Sequence, residues 1–157
     1  MKIIGIDPGV TGALAVINKG EVEALHDMPT MAGTKNKKQV NGYELCRLIE
    51  INKPDLVMIE KVHAMPGQGV SSMFNFGKSA GIIEGVCAGL GVPIEFVTPQ
   101  SWKKKFSLIG KDKDSARTLA IQKHPFIAEH LSRKKDIGRA DAIFIAQSKV
   151  KELLQWD

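Results

Sequence analysis

Apolar and polar positions in the first thirty residues fall into short runs with abrupt stops. Residues 2–6 read as one apolar strand ending at Asp7, "ALAVI" resumes after a turn at Pro8–Gly12, and "EVEALHDM" follows with partial alternation. Runs of this length bounded by turn residues predict three strands in an antiparallel meander. The next stretch, "PTMAGTKNKK", has no apolar period and predicts a mobile basic loop. Helical spacing then sets in at Tyr43, Leu45, Leu48 and Ile49, with Asn41 placed to cap the helix. "DLVMIE" at 55–60 is nearly all apolar, as a strand buried on both faces must be, and the strand-helix-strand order sets it beside the first strand. A helix from Ser71 to about Leu90, a fifth strand in "VPIEFV" and helices near Pro99, near Asp112 or Asp114, and near Arg139 complete the chain, the last reaching about Leu154. The alternation predicts an α/β domain, and no break in composition divides it, so residues 1–157 are expected to form one domain.

The long helix has Gly77, Gly81, Gly85 and Gly89 every four residues, on one slowly drifting face. Each glycine costs a helix about 1 kcal/mol relative to alanine, so close backbone approach must offset the stripe. The approaching partner is either the sheet or the same helix of a second subunit.

Composition narrows the classes. No segment reaches the roughly 18 uninterrupted apolar residues that span a bilayer, and the first apolar run is broken too early for a secretion signal. An intracellular protein with no membrane partner is expected, from a cell or from a virus infecting one. Cys46 and Cys87 lack the paired spacing of a zinc site and read as reduced packing residues. The net charge of +5 is concentrated at Lys35 with Lys37 and Lys38, at Lys103 to Lys105, at Lys111 with Lys113, and at Arg133 to Lys135. Such clusters suit a phosphate backbone, although solvated loops give the same pattern.

Ligands of open α/β sheets gather at the carboxyl ends of the strands, and two strands here end in an acid, Asp7 and Glu60. If the two strands are parallel neighbours, both acids project from one edge. Asp141 in "GRADAIFIA", expected in the first turn of the last helix, is a third acid able to join them. Three carboxylates without histidine or cysteine suit magnesium or manganese. Each acid also has a plain structural reading: Asp7 as the start of an Asp-Pro-Gly turn, Glu60 in an ion pair, Asp141 against the positive end of its helix.

"IIGIDPGVTGALAVI", "DLVMIEKVHAMPGQGVSSMFNFGKSAGIIEGV", "VTPQSWKKKF" and "GRADAIFIA" together resemble, in order and over nearly the whole chain, the RuvC family of Holliday junction resolvases within the ribonuclease H superfamily. The resemblance implies a ribonuclease H-like five-stranded mixed sheet flanked by helices, a homodimer and magnesium-dependent cutting of four-way DNA junctions by paired symmetric nicks. Manganese would substitute, with two ions in each site. It carries the catalytic and metal-binding acids onto Asp7, Glu60 and Asp141. The family's fourth acid lies three residues before the last, where this chain has Gly138, and Asp136 is the nearest replacement. Lys103 matches a basic residue near the scissile phosphate, and Lys111 or Lys113 a second one. Lys104, Lys105 and Arg117 are further candidates for DNA contact. His63 stands where bacterial relatives often carry an aromatic that stacks at the junction centre, and Phe74 or Phe76 can belong to the core instead. Three other functions share parts of this pattern: a nuclease for other branched DNA or structured RNA, a junction-binding module without turnover, and a sugar-kinase or actin-like ATPase opening on "GIDxGxT". The last needs two such domains to enclose ATP.

Overall fold

The computed structural model describes residues 1–154. Its main sheet has the order β3-β2-β1-β6-β7. β1 (Lys2–Asp7), β2 (Ala13–Asn18) and β3 (Glu21–Asp27) form the antiparallel meander, with an irregularity between Val16 and Ile17. β6 (Leu56–Glu60) and β7 (Ile94–Val97) run parallel to β1, so the sheet is mixed and β1 lies at its centre.

Strand alternation divides the core between two faces. Ile3, Ala15, Ile17 and Met58 face a layer built on α5 (Ile137–Leu154), together with Trp102 and Phe144. Ile4, Ile6, Leu14, Val16 and Val57 face α1 (Gly42–Asn52) and α2 (Val70–Gly89), meeting Leu45, Ile49, Ile83 and Cys87. Each fully buried isoleucine or leucine contributes about 1.5–3 kcal/mol. The α5 layer is set very close to β1: a Cβ on Gly5 would lie 2.2 Å from the Ala142 carbonyl oxygen and 2.7 Å from the Ala146 nitrogen. Only glycine lets the helix settle there.

Caps fall where the side chains supply them. Asn41 Oδ1 accepts from the Glu44 backbone N–H at 3.1 Å, and Thr98 Oγ1 does the same for Ser101 at 3.2 Å, opening α3 (Pro99–Lys105). α4 (Asp114–Lys123) follows, then 3₁₀ turns at Pro125–Leu131 and Lys134–Asp136 lead into α5. No helix among the described residues is long and apolar enough to cross a membrane.

Three expectations need correction. The basic stretch after β3 is a hairpin, β4 (Thr30–Ala32) and β5 (Lys38–Val40), rather than a loop, since polar strands of three residues carry no readable period. α5 starts at Ile137, which puts Asp141 in its second turn. The glycine stripe of α2 does not pack on the sheet: Gly77, Gly81, Gly85 and Gly89 have no atom within 4 Å of where a Cβ would stand. Ser79, Ile83 and Cys87 occupy the inward face instead.

Candidate active site

Parallel pairing matches Ile6 with Ile59, so the next residues, Asp7 and Glu60, leave the sheet at the same edge. Pro8 and Gly9 turn the chain away at once. Gly9 takes a φ of +108°, which side chains resist, and a Cβ on Gly12 would overlap the Asp7 carbonyl oxygen. α5 brings Asp141 to this edge because it packs along β1 and β2.

The three acids share one electrostatic environment. Burial, then the charges of Asp141 and Glu60, hold the Asp7 carboxyl well above the ordinary carboxylate range, while Lys103 pulls the other way. Asp141 is pushed up to about 7, by burial first and Glu60 second, again opposed by Lys103. No side-chain hydrogen bond reaches either aspartate among the described residues. Glu60 is held differently, its Oε2 accepting from the indole N–H of Trp102 at 2.7 Å. Trp102 is itself only 1% exposed, so it fixes the glutamate from a rigid base.

As placed, these side chains do not close into a ready-made cage: no group of three or more His, Cys, Asp or Glu holds a metal-binding arrangement among the described residues. They are hard oxygen donors that raise one another's proton affinity, with Lys103 the cation that opposes them. That chemistry fits a divalent cation that keeps waters and takes remaining ligands from a phosphate. Asp7, Glu60 and Asp141 are the residues able to hold it.

Asp136 does not join them. Its carboxylate is 1% exposed and accepts from the Arg133 guanidinium at 2.7 Å and from the Arg133 backbone N–H at 2.9 Å. Burial alone would raise its pKa, but the two Arg133 hydrogen bonds and the Arg139 charge outweigh it and bring the net shift down. At the fourth-acid position, a Cβ on Gly138 would stand 3.4 Å from Asp7 Oδ2 and 3.2 Å from the Thr11 carbonyl oxygen. A side chain at this position would therefore need its neighbours to give by a few tenths of an ångström.

Asp7 and Asp141 line a basin of about 1050 Å³ whose rim is basic. Lys103, Lys111 and Lys113 reach it from α3 and the turn after it, Lys38 from β5, and Lys134 and Lys135 from the turn before α5. The Lys103 ammonium lies 5.6 Å from the centroid of the Trp102 ring, which keeps it beside the acids. Other candidates are elsewhere. Lys104 is exposed outside the basin, and Lys105 is drawn to α5, where it donates to the Ser148 carbonyl at 3.2 Å. Arg117 is turned inward, paired with Asp114 at 2.7 Å and donating to the Leu131 carbonyl at 3.0 Å. His63 is exposed in the segment after β6, Phe74 is 75% exposed, and Phe76 is half-buried against Gly9.

Sequence reasoning missed two parts of this site. The support of Glu60 by Trp102 is one; the tryptophan was legible only as a landmark for the lysine beside it. The other is the arrival of Lys134 and Lys135 on the basin rim beside Lys38, since the sequence marked these clusters as suited to a phosphate backbone without placing them next to the acids.

No family model matches the chain. It is 24% identical over 164 residues to the crossover junction endodeoxyribonuclease RuvC of Nitratidesulfovibrio vulgaris strain DP4, covering 98% of this chain and 93% of that protein. Among solved structures it superposes on Thermus thermophilus RuvC bound to a Holliday junction with a TM-score of 0.69 at 17% identity, over 99% of this chain and 96% of the other. The fowlpox virus Holliday junction resolvase gives 0.62 at 18% identity, over 97% and 99%. Along its sequence and through its mixed sheet, the chain is RuvC-like, with the ribonuclease H-like fold of those resolvases.

Proposed function

We propose that this protein is a metal-dependent endonuclease that resolves four-way DNA junctions by paired nicks, with Asp7, Glu60 and Asp141 as its metal ligands. The observation that carries the reading is the convergence of three mutually interacting carboxylates from β1, β6 and α5, two of which, Asp7 and Asp141, line a basin rimmed by lysines. A pair of magnesium or manganese ions bound there would lower the pKa of an attacking water and stabilise the leaving 3′ oxygen. The chain's own part is to position and neutralise. Asp7, on the central strand and with its pKa raised by the charges of both Glu60 and Asp141, would be a ligand to the ions together with those two acids. Trp102 fixes the direction of Glu60. Lys103 donates to a non-bridging phosphate oxygen, offsetting the charge that accumulates as the phosphorus becomes five-coordinate. Lys111, Lys113, Lys134 and Lys135 hold the flanking backbone, which positions the duplex without reading its sequence. Such a protein works in a compartment that contains DNA.

Cutting two symmetric strands calls for two sites at fixed separation, which a two-fold dimer provides. The outward face of α2 suits that contact: its glycines are open, and Val70 and Phe74 at its start are 88% and 75% exposed.

The test is a labelled four-way junction beside a matched linear duplex, each with magnesium or EDTA, with the wild type and Asp7→Asn. Paired metal-dependent nicks on the junction alone, lost in the variant while binding persists, are expected. Undiminished cutting by Asp7→Asn would refute the site assignment, and preference for flaps or structured RNA would reassign the substrate.

A further inference from the structure

Four aspartates, Asp7, Asp27, Asp112 and Asp141, line the acid basin. Asp7 and Asp141 belong to the site, and Asp112 caps α4, its Oδ1 accepting from the Asp114 and Ser115 backbone N–H groups at 3.0 and 3.1 Å. Asp27 has neither part. It ends β3 with its side chain 58% exposed. An exposed carboxylate in a basin rimmed by lysines repels the phosphate backbone that those lysines attract, so some other contribution has to offset it.

The contact that Asp27 makes is with Arg139. The Arg139 guanidinium donates through Nε to Asp27 Oδ1 at 2.8 Å and through Nη1 to the His130 carbonyl at 2.9 Å. One planar fork thus joins the end of β3 to the 3₁₀ turn at Pro125–Leu131. The Arg139 side chain is only 17% exposed, and its approach to Asp136 is looser, at 3.7 Å. The hydrogen bond from Arg139 is the chief cause that holds the Asp27 carboxyl below its ordinary range, and the other charges acting on it are those of Arg133 and Asp136. Asp27 therefore works through Arg139 rather than beside the three acids.

Arg139 stands in the first turn of α5, two residues before Asp141. That turn lies against Asp7, since a Cβ on the preceding Gly138 would stand 3.4 Å from Asp7 Oδ2. Asp27 pairs with Ala13 and Ala13 with Asp7, so the anchor of the fork and the acid of β1 share one row of the sheet. Residues two apart on an α-helix diverge by about 200°, which lets Arg139 grip the helix without its guanidinium entering the space of the Asp141 carboxylate. Asp141 needs such a grip. Trp102 holds Glu60, but no side-chain hydrogen bond reaches Asp141 among the described residues, so its aim depends on where the backbone of α5 stands.

We propose that Arg139 is a positioning residue: its fork to Asp27 and the His130 carbonyl fixes the rotation of the first turn of α5, and with it the aim of Asp141 at a cation shared with Asp7. The inference rests on the reading of the three acids as metal ligands. It also accounts for the exposed acid in the basin, because an aspartate that repels DNA is the one that holds the helix.

The experiment compares the wild type with Asp27→Ala, Arg139→Lys and Arg139→Gln, and with Asp136→Asn as a less stable variant outside the fork. Manganese binding to the protein alone is titrated by electron paramagnetic resonance. Four-way junctions are bound in EDTA and cut under single-turnover conditions at saturating protein, all well below the melting temperature of each variant. Asp27→Ala is expected to bind junctions at least as tightly as the wild type, yet to bind manganese and to cut about 10–100-fold less well, the scale for a partner that orients a metal ligand. A residue that merely shaped the charge of the basin would give tighter binding with undiminished cutting. Arg139→Lys keeps the charge but not the planar fork, and is expected to behave like Arg139→Gln. Manganese affinity and cutting that match the wild type in Asp27→Ala and Arg139→Gln, or that lysine restores, would overturn the proposal. An equal loss in Asp136→Asn would also overturn it, by making stability the cause. Should the wild type bind manganese but cut nothing, the nuclease reading fails while the manganese titration still decides the role of Arg139.

Discussion

Asp7 and Asp136 are both withdrawn from water, yet their surroundings push them in opposite directions. Asp7 meets burial and two like charges, so its carboxyl holds its proton to higher pH, and it is poised for a cation to take the proton's place. Asp136 meets an arginine fork and a backbone N–H, so it stays ionised. The sign for stability follows. A carboxyl whose pKa is depressed by folding stabilises the fold above its ordinary pKa, and that contribution is lost as pH falls through the folded-state value. Asp136→Asn is therefore expected to lose about 1–3 kcal/mol at pH 7. Its deficit against the wild type should narrow below about pH 4, where ordinary carboxylates take up protons. Urea melts at pH 7 and pH 3 check this, and an equal deficit at both would show that shape rather than charge matters at this position. The same variant should keep its metal-dependent cutting, whereas Asp7→Asn should lose it by orders of magnitude.

Among the elements, α5 does most to assemble the site. It carries Asp141, packs along β1 and depends on Gly5 for its approach. Gly5→Ala would force a side-chain carbon into helix backbone, which cannot move aside as a flexible side chain would, so a loss of at least about 1–3 kcal/mol is expected. Cutting should fall along with the melting temperature, since displacing α5 displaces its acid; a variant that melts lower but cuts normally would separate the two. These elements were also the legible ones. Long apolar runs and periodic helices announced β1, β6, α2 and α5, and the strand-terminal positions of Asp7 and Glu60 followed from the topology. What escaped was short or non-local. The β4–β5 hairpin has three-residue strands with polar sequences, and its form depends on contact with α2. The Arg133–Asp136 clasp was hidden because a carboxylate near a motif looks the same on paper whether it faces a cavity or an arginine.

For the whole molecule, α2 separates stability from assembly. Gly81 has open space around it, so a leucine there should leave the monomer folded, with helix propensity gained rather than lost. If the face joins two copies, Gly81→Leu should shift the sedimenting species from dimer to monomer and replace paired nicks with single, uncoordinated ones. A dimer that survives the substitution would move the interface elsewhere. The site itself is assembled across the full chain, with acids at positions 7, 60 and 141. During synthesis Asp7 and Glu60 are both made well before Asp141, which comes with α5, so a chain interrupted before α5 has an incomplete set of the three acids. If the three acids are the metal ligands, cutting would begin only once translation has passed Asp141 and the helix bearing it has docked.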